Sequence, residues 1–210
     1  AKTHCVTETW LDVSGLYDKQ AALSNFLKLA KEQGMSTQFL ASTSPAVLNY
    51  PADKGKTAME DLLKFIGEIE PAYRPTAIQT DIENIRKNGQ TGIYFEEYDE
   101  TVKEEDKLLL IEPSAALEAL QTYLDLISAA NMTAYASVLF WWIPFEAPNP
   151  DIPLCTVNRK VLPYGEALLA TGWNVTVQDY RKPEAKYLVP PAVGWSKLAG
   201  KYGRNAYVGL

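Results

Sequence analysis

The chain is 210 residues long, 47% of it is apolar, and its formal net charge is −6. This size suits one α/β domain or two small ones. The acidic balance argues against a nucleic-acid-binding protein, because no basic stripe is present to neutralise phosphates. No apolar run reaches the roughly 18 residues that a membrane span requires.

Histidine and cysteine are too scarce for several kinds of site. One His in the whole chain removes most zinc, catalytic-triad and histidine-base mechanisms. Cys5 and Cys155 lack metal-ligand spacing and are too few for a disulfide scaffold. We therefore expect neither a metal nor a cofactor.

Two N-glycosylation sequons occur, one beginning at Asn131 and one at Asn174. The second lies inside a predicted strand, which argues against its use. The chain also begins at Ala1 rather than Met, which fits a processed or trimmed chain, although a cloning boundary would look the same. Together these features favour a secreted, glycosylated protein in the extracellular space or secretory pathway.

Hydrophobic periodicity predicts alternating strands and helices. A helix runs from an N-cap at Asp18 to Gly34, and a capping box at Thr57 opens the next. One further predicted helix ends near residue 131, and another covers residues 164–170. The apolar stripe predicted for the first helix is Ala22, Leu23, Phe26, Leu27, Leu29 and Ala30. The predicted strands cover residues 8–13, 37–42, 77–83, 134–142, 173–180 and 205–209.

Two later segments carry no regular pattern. A proline-rich loop is predicted for residues 148–163, and a mixed segment containing Pro190 and Pro191 precedes the last strand. Residues 84–106 contain two acidic runs without the spacing of a calcium loop. We predict a solvated loop over the site there, with a bound cation as the alternative.

The strand at 77–83 alternates strictly, so Gln79, Asp81 and Glu83 share one face while Ile78 and Ile82 share the other. Residues two apart on a strand lie roughly 6.5–7 Å apart, so both carboxylates can line one pocket wall. At the carboxyl end of a parallel strand they would occupy the usual ligand-binding edge. The alternative is an edge strand whose acids face water.

Tandem tryptophans, Trp141 and Trp142, lie where the fourth predicted strand ends. Indole rings there would form a stacking platform for sugar rings. Alternatively, one ring belongs to the core and the other covers the loop.

Six strand units predict a parallel, TIM-barrel-like α/β fold over residues 1–210 that is two units short of a closed (β/α)₈ barrel. We expect a fragment, or a barrel completed by another segment or chain, since a final strand leaves an open edge. A doubly wound open sheet is the alternative, although no Gly-rich turn follows the first strand.

Two short motifs resemble those of glycoside-hydrolase (β/α)₈ barrels of the chitinase and endo-N-acetylglucosaminidase clan. Residues 79–83 (Gln-Thr-Asp-Ile-Glu) resemble the DxDxE end of the DxxDxDxE motif, with Gln79 replacing an Asp. Residues 178–181 (Gln-Asp-Tyr-Arg) resemble MxYD, with Gln178 replacing Met and Arg181 replacing the final Asp. Residues 202–210 are similar to the next strand, so the chain would cover strands two to seven of such a barrel.

The resemblance implies substrate-assisted hydrolysis of glycans that contain N-acetylglucosamine. Glu83 would be the general acid, Asp81 would orient the substrate acetamide, and Tyr180 would hydrogen-bond that acetamide. The expected substrate-binding residues are Gln79, Trp141, Trp142, Gln178, Arg181 and Asp12.

The competing hypothesis is a catalytically inactive carbohydrate-binding or structural barrel. Arg181 would then pair with Glu83, lower the pKa of that carboxyl and spoil it as an acid. Fold alone does not distinguish the two hypotheses.

Overall fold

Six parallel strands, hydrogen-bonded to one another in chain order, form the central sheet of the computed structural model. The structure describes residues 7–13, 19–42, 52–81, 85, 112–144, 149–178 and 185–209. Its strands are β1 (Glu8–Asp12), β2 (Ser36–Ser42), β3 (Ala77–Asp81), β4 (Thr133–Leu139), β5 (Leu154–Val157), β6 (Lys160–Pro163), β7 (Asn174–Gln178) and β8 (Ala206–Gly209). Its α-helices are α1 (Gln20–Glu32), α2 (Ala52–Glu68), α3 (Pro113–Ala129), α4 (Tyr164–Thr171) and α5 (Ala185–Lys201).

The strand order of the sheet is β1-β2-β3-β4-β7-β8, and every neighbouring pair is parallel. A doubly wound sheet reverses its order at a switch point, and this sheet does not. Successive strands separated by helices are instead the arrangement of a singly wound barrel. The fold is therefore mixed α/β and TIM-barrel-like with six strand units, as the sequence predicts.

The two faces of the sheet differ in chemistry because side chains alternate along each strand. Ile78 and Thr80 of β3 are fully buried on one face, in register with Ala134 and Ala136 of β4. The core on this side is extended by Phe39 of β2, whose ring stacks on Phe65 of α2 at 6.4 Å. The helices therefore cover a mainly apolar face in which Thr80 is a polar exception, and Gln79 and Asp81 of β3 fall on the other face.

Four helices end in the same hydrogen-bonding pattern. One residue takes a positive φ, and the next donates its N–H to the carbonyl five residues earlier at 2.9 to 3.1 Å, which defines a Schellman motif. The positive-φ residue is Gly34 after α1, Gly172 after α4 and Gly203 after α5. After α3 it is Asn131, with φ 57°.

The proline-rich segment is not a loop throughout. Within it, β5 and β6 form an antiparallel hairpin whose two-residue turn, Asn158-Arg159, has positive φ at both positions. That geometry is a type I′ turn, which Asn-Gly signals strongly and Asn-Arg does not. The pattern therefore gave no hairpin signal.

The mixed segment before the last strand is the long helix α5, with Pro190 and Pro191 inside it. Two prolines in a helix interior argue against a helix because each lacks an N–H donor. Packing outweighs that cost, since Trp195 and Ala199 are completely buried and the Trp195 indole N–H donates to the Phe140 carbonyl at 3.0 Å.

Three further details differ from the prediction. The helix predicted to open at the Thr57 capping box, α2, already begins at Ala52. The strand predicted to reach residue 142 stops at Leu139, and Phe140–Trp142 form a 3₁₀ turn. On α1 the predicted apolar stripe is too wide, because Phe26 is 42% and Leu29 is 55% exposed while Leu23, Leu27 and Ala30 are buried. The predicted N-cap residue 18 and most of the acidic segment lie outside the described residues.

Gly165 offers a direct test of the packing between α4 and α5. A methyl group added at Gly165 would overlap the Trp195 ring and lie 3.0 Å from Ile143 Cγ2. We expect Gly165→Ala to lower the free energy of unfolding by about 1–3 kcal/mol, because a close-packed interior cannot expand cheaply.

Gly200→Ala in α5 is the matched control, since nothing lies within 4 Å of the added methyl group. It should leave stability unchanged or raise it by up to about 1 kcal/mol. Denaturant titration followed by circular dichroism measures both variants, and equal stabilities would contradict the packing described.

Candidate functional site

Asp81 and Gln178 meet at the carboxyl end of the sheet. Asp81 is the last residue of β3 and Gln178 the last of β7, and β4 lies between these strands. The Gln178 side-chain amide Nε2 donates to Asp81 Oδ1 at 3.2 Å across β4. Both side chains are partly exposed, so this edge presents a carboxylate and an amide to solvent. It is the edge where parallel α/β folds bind ligands.

A buried polar layer lies one side-chain position deeper, towards the amino ends of the strands. Gln79 of β3 donates through Nε2 to Ser137 Oγ at 2.7 Å and accepts through Oε1 from Thr176 Oγ1 at 3.0 Å. Gln79 is only 7% exposed. Both ends of its amide are therefore used to fasten β3 to β4 and β7. This placement favours a positioning role for Gln79 over the substrate contact predicted for it.

The same inner face carries three aromatic rings. The Tyr135 ring of β4 lies 5.2 Å from Trp10 of β1 and 5.5 Å from Tyr207 of β8. Burial, followed by hydrogen bonding to Tyr207, raises the pKa of Tyr135 to about 12. The rings thus reach from one outermost strand of the sheet to the other.

The two adjacent tryptophans, Trp141 and Trp142, differ in how deeply they are buried. Trp142 is 1% exposed and makes an edge contact with Tyr164 at 5.1 Å. A ring so buried presents no face to a sugar, so Trp142 is a core residue, which is the alternative considered for this pair. Trp141 is partly exposed and contacts the Trp142 ring edge-on at 6.3 Å. Its role in ligand stacking remains a prediction.

The other predicted site residues fall in two groups. Asp12 is exposed at the end of β1, on the same face as Trp10, since the two residues are two positions apart. Glu83, Tyr180 and Arg181 lie outside the residues that the structure describes, and their roles stay predictions. The structure therefore brings together Asp81, Gln79 and Gln178, with Asp12 on the first strand.

Perturbed groups outside this face are structural. Glu166 of α4 accepts from Lys201 Nζ at 2.8 Å and from Tyr202 Oη at 2.7 Å. Burial raises the pKa of Glu166, but the two hydrogen bonds outweigh it and the net pKa is lowered. Cys155 is a buried free thiol whose pKa burial raises to about 11. In the part of the chain that the structure describes, no three His, Cys, Asp or Glu side chains are grouped to hold a metal ion.

None of the described helices is long and apolar enough to cross a bilayer.

Comparison with known proteins identifies the fold. No protein-family model and no curated protein matches the chain. Among solved structures, the spore cortex-lytic enzyme SleL of Bacillus megaterium QM B1551 matches 98% of the chain at 12% identity with a TM-score of 0.55. A D-allulose 3-epimerase from Methylomonas sp. matches 99% of the chain at 12% identity with a TM-score of 0.54. The chain spans 50% and 63% of these two proteins.

A chitinase from Chromobacterium violaceum ATCC 12472 is also similar, at 11% identity over 98% of the chain with a TM-score of 0.47. The two matches with TM-scores above 0.5, a spore cortex-lytic enzyme and an epimerase, support the parallel, TIM-barrel-like α/β fold that the sequence predicts. Identities this low show the fold and not the activity.

The hydrogen bonds of the buried Gln79 amide predict how a substitution there changes the stability of the fold. Gln79→Leu keeps the approximate shape of the side chain but leaves the buried Ser137 hydroxyl and the partly buried Thr176 hydroxyl without their amide partner. We expect the free energy of unfolding to fall by about 1–3 kcal/mol, since each unpaired buried group keeps its desolvation cost.

Gln20→Leu is the control, because Gln20 is exposed on α1 and its one side-chain bond goes to an exposed Glu68. Denaturant unfolding of the two variants should differ clearly. A Gln79→Leu protein as stable as the control would show that the amide layer does not hold the strands together.

Proposed function

We propose that the protein is a glycoside hydrolase acting on glycans that contain N-acetylglucosamine by substrate-assisted acid catalysis. The supporting observation is the position of Asp81, a partly exposed carboxylate at the carboxyl end of β3 held by the Gln178 amide. Glu83 follows Asp81 by two residues in a motif that resembles DxDxE. The carbohydrate ligand would bind at this edge of the sheet.

The proposed reaction divides the chemistry between protein and substrate. Glu83 gives its proton to the glycosidic oxygen, so the leaving sugar departs as an alcohol. The acetamide carbonyl oxygen of the substrate attacks the anomeric carbon, which makes the acetamide the internal nucleophile. Asp81 orients that acetamide and Tyr180 hydrogen-bonds it. Water then opens the cyclic intermediate and returns a proton to Glu83.

Gln178 supports the role given to Asp81. Its amide N–H donates to Asp81 Oδ1 at 3.2 Å, which ties the carboxylate to the end of β7. An amide is uncharged, so the contact fixes the position of the carboxylate without placing a charge beside it. The carboxylate is thereby held in one place at the ligand-binding edge of the sheet, as orienting an acetamide requires.

One observation favours a second candidate, a carbohydrate-binding barrel without turnover. Gln79 stands where the resembled motif has an Asp, and it is buried and hydrogen-bonded at both ends of its amide. The layer below Asp81 consequently contains no second carboxylate from β3. If the motif's Asp contributes to catalysis, its replacement leaves a site suited to binding.

Replacing the proposed acid tests the mechanism. Glu83→Gln keeps shape and hydrogen-bonding capacity but removes the transferable proton, so we expect hydrolysis to slow by about 10²–10⁴-fold. Asp81→Asn should also be slow, through lost orientation of the acetamide. Glu97→Gln in the acidic segment is the control and should be nearly silent. Labelled β-linked N-acetylglucosamine oligomers and N-glycans serve as substrates.

The leaving group distinguishes acid catalysis from general damage to the site. An activated aryl glycoside needs little protonation, so Glu83→Gln should recover preferentially on it compared with a natural-type glycoside. Equal losses on both substrates would argue against the acid role. Oligomer binding by a wild-type protein that cleaves nothing would transfer the proposal to the binding barrel.

We also propose that the sheet is completed by further βα units, from the same polypeptide or from a partner chain. Apolar side chains are exposed on the helices that adjoin the two outermost strands along the chain. Phe26 and Leu29 lie on α1, which follows β1, while Val189 and Val193 lie on α5, which precedes β8. A completed barrel has helices on both sides of these positions, and they would cover such side chains.

The uncovered edges predict that the 210-residue chain associates with itself. Sedimentation equilibrium should show reversible association at micromolar concentration, and the double substitution Val189→Glu/Val193→Glu should shift it towards monomer. Val161→Glu is the control, because Val161 is exposed on the hairpin rather than beside an outermost strand. A chain that stays monomeric at every concentration would contradict the proposal.

A further inference from the structure

The two N-glycosylation sequons occupy opposite environments. The acceptor Asn131 is exposed in the turn after α3, and the hydroxyl residue Thr133 is exposed as the first residue of β4. Asn174, the acceptor of the second, is 9% exposed inside the sheet. We propose that Asn131 is an N-glycosylation site of this protein in the secretory pathway and that Asn174 is not one.

The backbone conformation at position 131 does not require an asparagine. It occupies the positive-φ position of a Schellman motif, and the three equivalent positions in the chain are glycines. Glycine meets this backbone demand at no steric cost, and asparagine only tolerates it. The asparagine at this one helix end supplies something that the cap does not need, an amide two residues before an exposed threonine.

Both polar atoms of the Asn174 side chain are hydrogen-bonded within the fold. Its Nδ2 donates to the Ala134 carbonyl at 3.1 Å, and its Oδ1 accepts from the Asn205 backbone N–H at 2.9 Å. A glycan replaces one hydrogen of Nδ2 with a sugar ring. The ring would have to enter a position between β4 and β8 that is closed to water. A chain glycosylated at Asn174 would not reach this fold.

A glycan at Asn131 leaves the proposed site open. Asn131 precedes β4 at the amino end of the sheet, whereas Asp81 and Gln178 lie at its carboxyl end. Seven residues of β4 separate the two ends, which corresponds to roughly 20 Å at about 3.3 Å per residue. The modification is therefore compatible with ligand binding but does not depend on it.

The transfer needs no group from this protein beyond the acceptor. The Asn131 amide nitrogen forms a bond to the anomeric carbon of an oligosaccharide and loses one proton. The carbon–oxygen bond to the lipid pyrophosphate that carries the oligosaccharide breaks, and the pyrophosphate takes the electron pair. The host's oligosaccharyl transferase supplies both donor and catalysis.

Expression of the full chain behind a secretion leader in a eukaryotic host tests the proposal. The soluble, secreted protein is treated with an N-glycanase, which converts each glycosylated Asn to Asp, and the positions are mapped by peptide mass spectrometry. We expect a single occupied site at Asn131, seen also as one mobility shift that the enzyme removes.

Two variants separate modification from folding. Asn131→Gly should abolish the shift while preserving the helix end, because glycine is the residue at the other three Schellman positions. Thr133→Val should abolish it while keeping Asn131. Secreted, folded protein that lacks a glycan at Asn131, or that carries one at Asn174, would overturn the proposal.

Discussion

The structure depends on how the polar side chains on the inner face of its all-parallel sheet are paired by hydrogen bonds. At the centre of the sheet, Gln79 forms hydrogen bonds with Ser137 on the next strand and with Thr176 on the strand beyond it. One amide thereby joins three strands that are far apart in sequence. Because buried amides cost free energy unless both ends are paired, the three residues constrain one another's position. The register of β3, β4 and β7 is consequently held from inside as well as by backbone hydrogen bonds.

The chemistry of the edge follows from that layer. Every second residue of a strand points to the same face of the sheet. Because Asp81 lies two residues after Gln79, fixing Gln79 on the inner face also places Asp81 on that face. The same holds for Thr176 and Gln178 on β7, so the Gln178–Asp81 amide–carboxylate pair lies one layer above the Gln79–Thr176 amide–hydroxyl pair. The Asp81–Gln178 pair is thus preorganised by the strands that carry it. Preorganisation of this kind is what a site needs if it is to hold a substrate amide in one orientation.

Sequence patterns predicted the six strands of the sheet and their order because each repeats the alternation of apolar and polar residues, or a short apolar run, between helices. They failed where tertiary contacts override local preference. Pro190 and Pro191 stand inside α5 because the buried Trp195 anchors that helix. The hairpin of β5 and β6 was missed because the Asn158-Arg159 turn lacks the usual glycine. Phe26 and Leu29 were assigned to the core because periodicity does not tell a buried stripe from an exposed one.

The site was predictable only in part, for a related reason. Alternation within residues 77–83 placed Gln79 and Asp81 on one face, and the resemblance added Gln178, but nothing in the sequence paired Asp81 with Gln178 across β4. Ser137 and Tyr135 were hidden in a strand that reads as apolar, since a small hydroxyl and a phenol hardly disturb such a run. These residues matter because of what faces them on strands one or two positions away in the sheet. Contacts across strands are set by register, and register emerges only when the sheet has formed. A polar residue in the middle of an apolar parallel strand is therefore the signal to follow, because it must find its partner on a neighbouring strand.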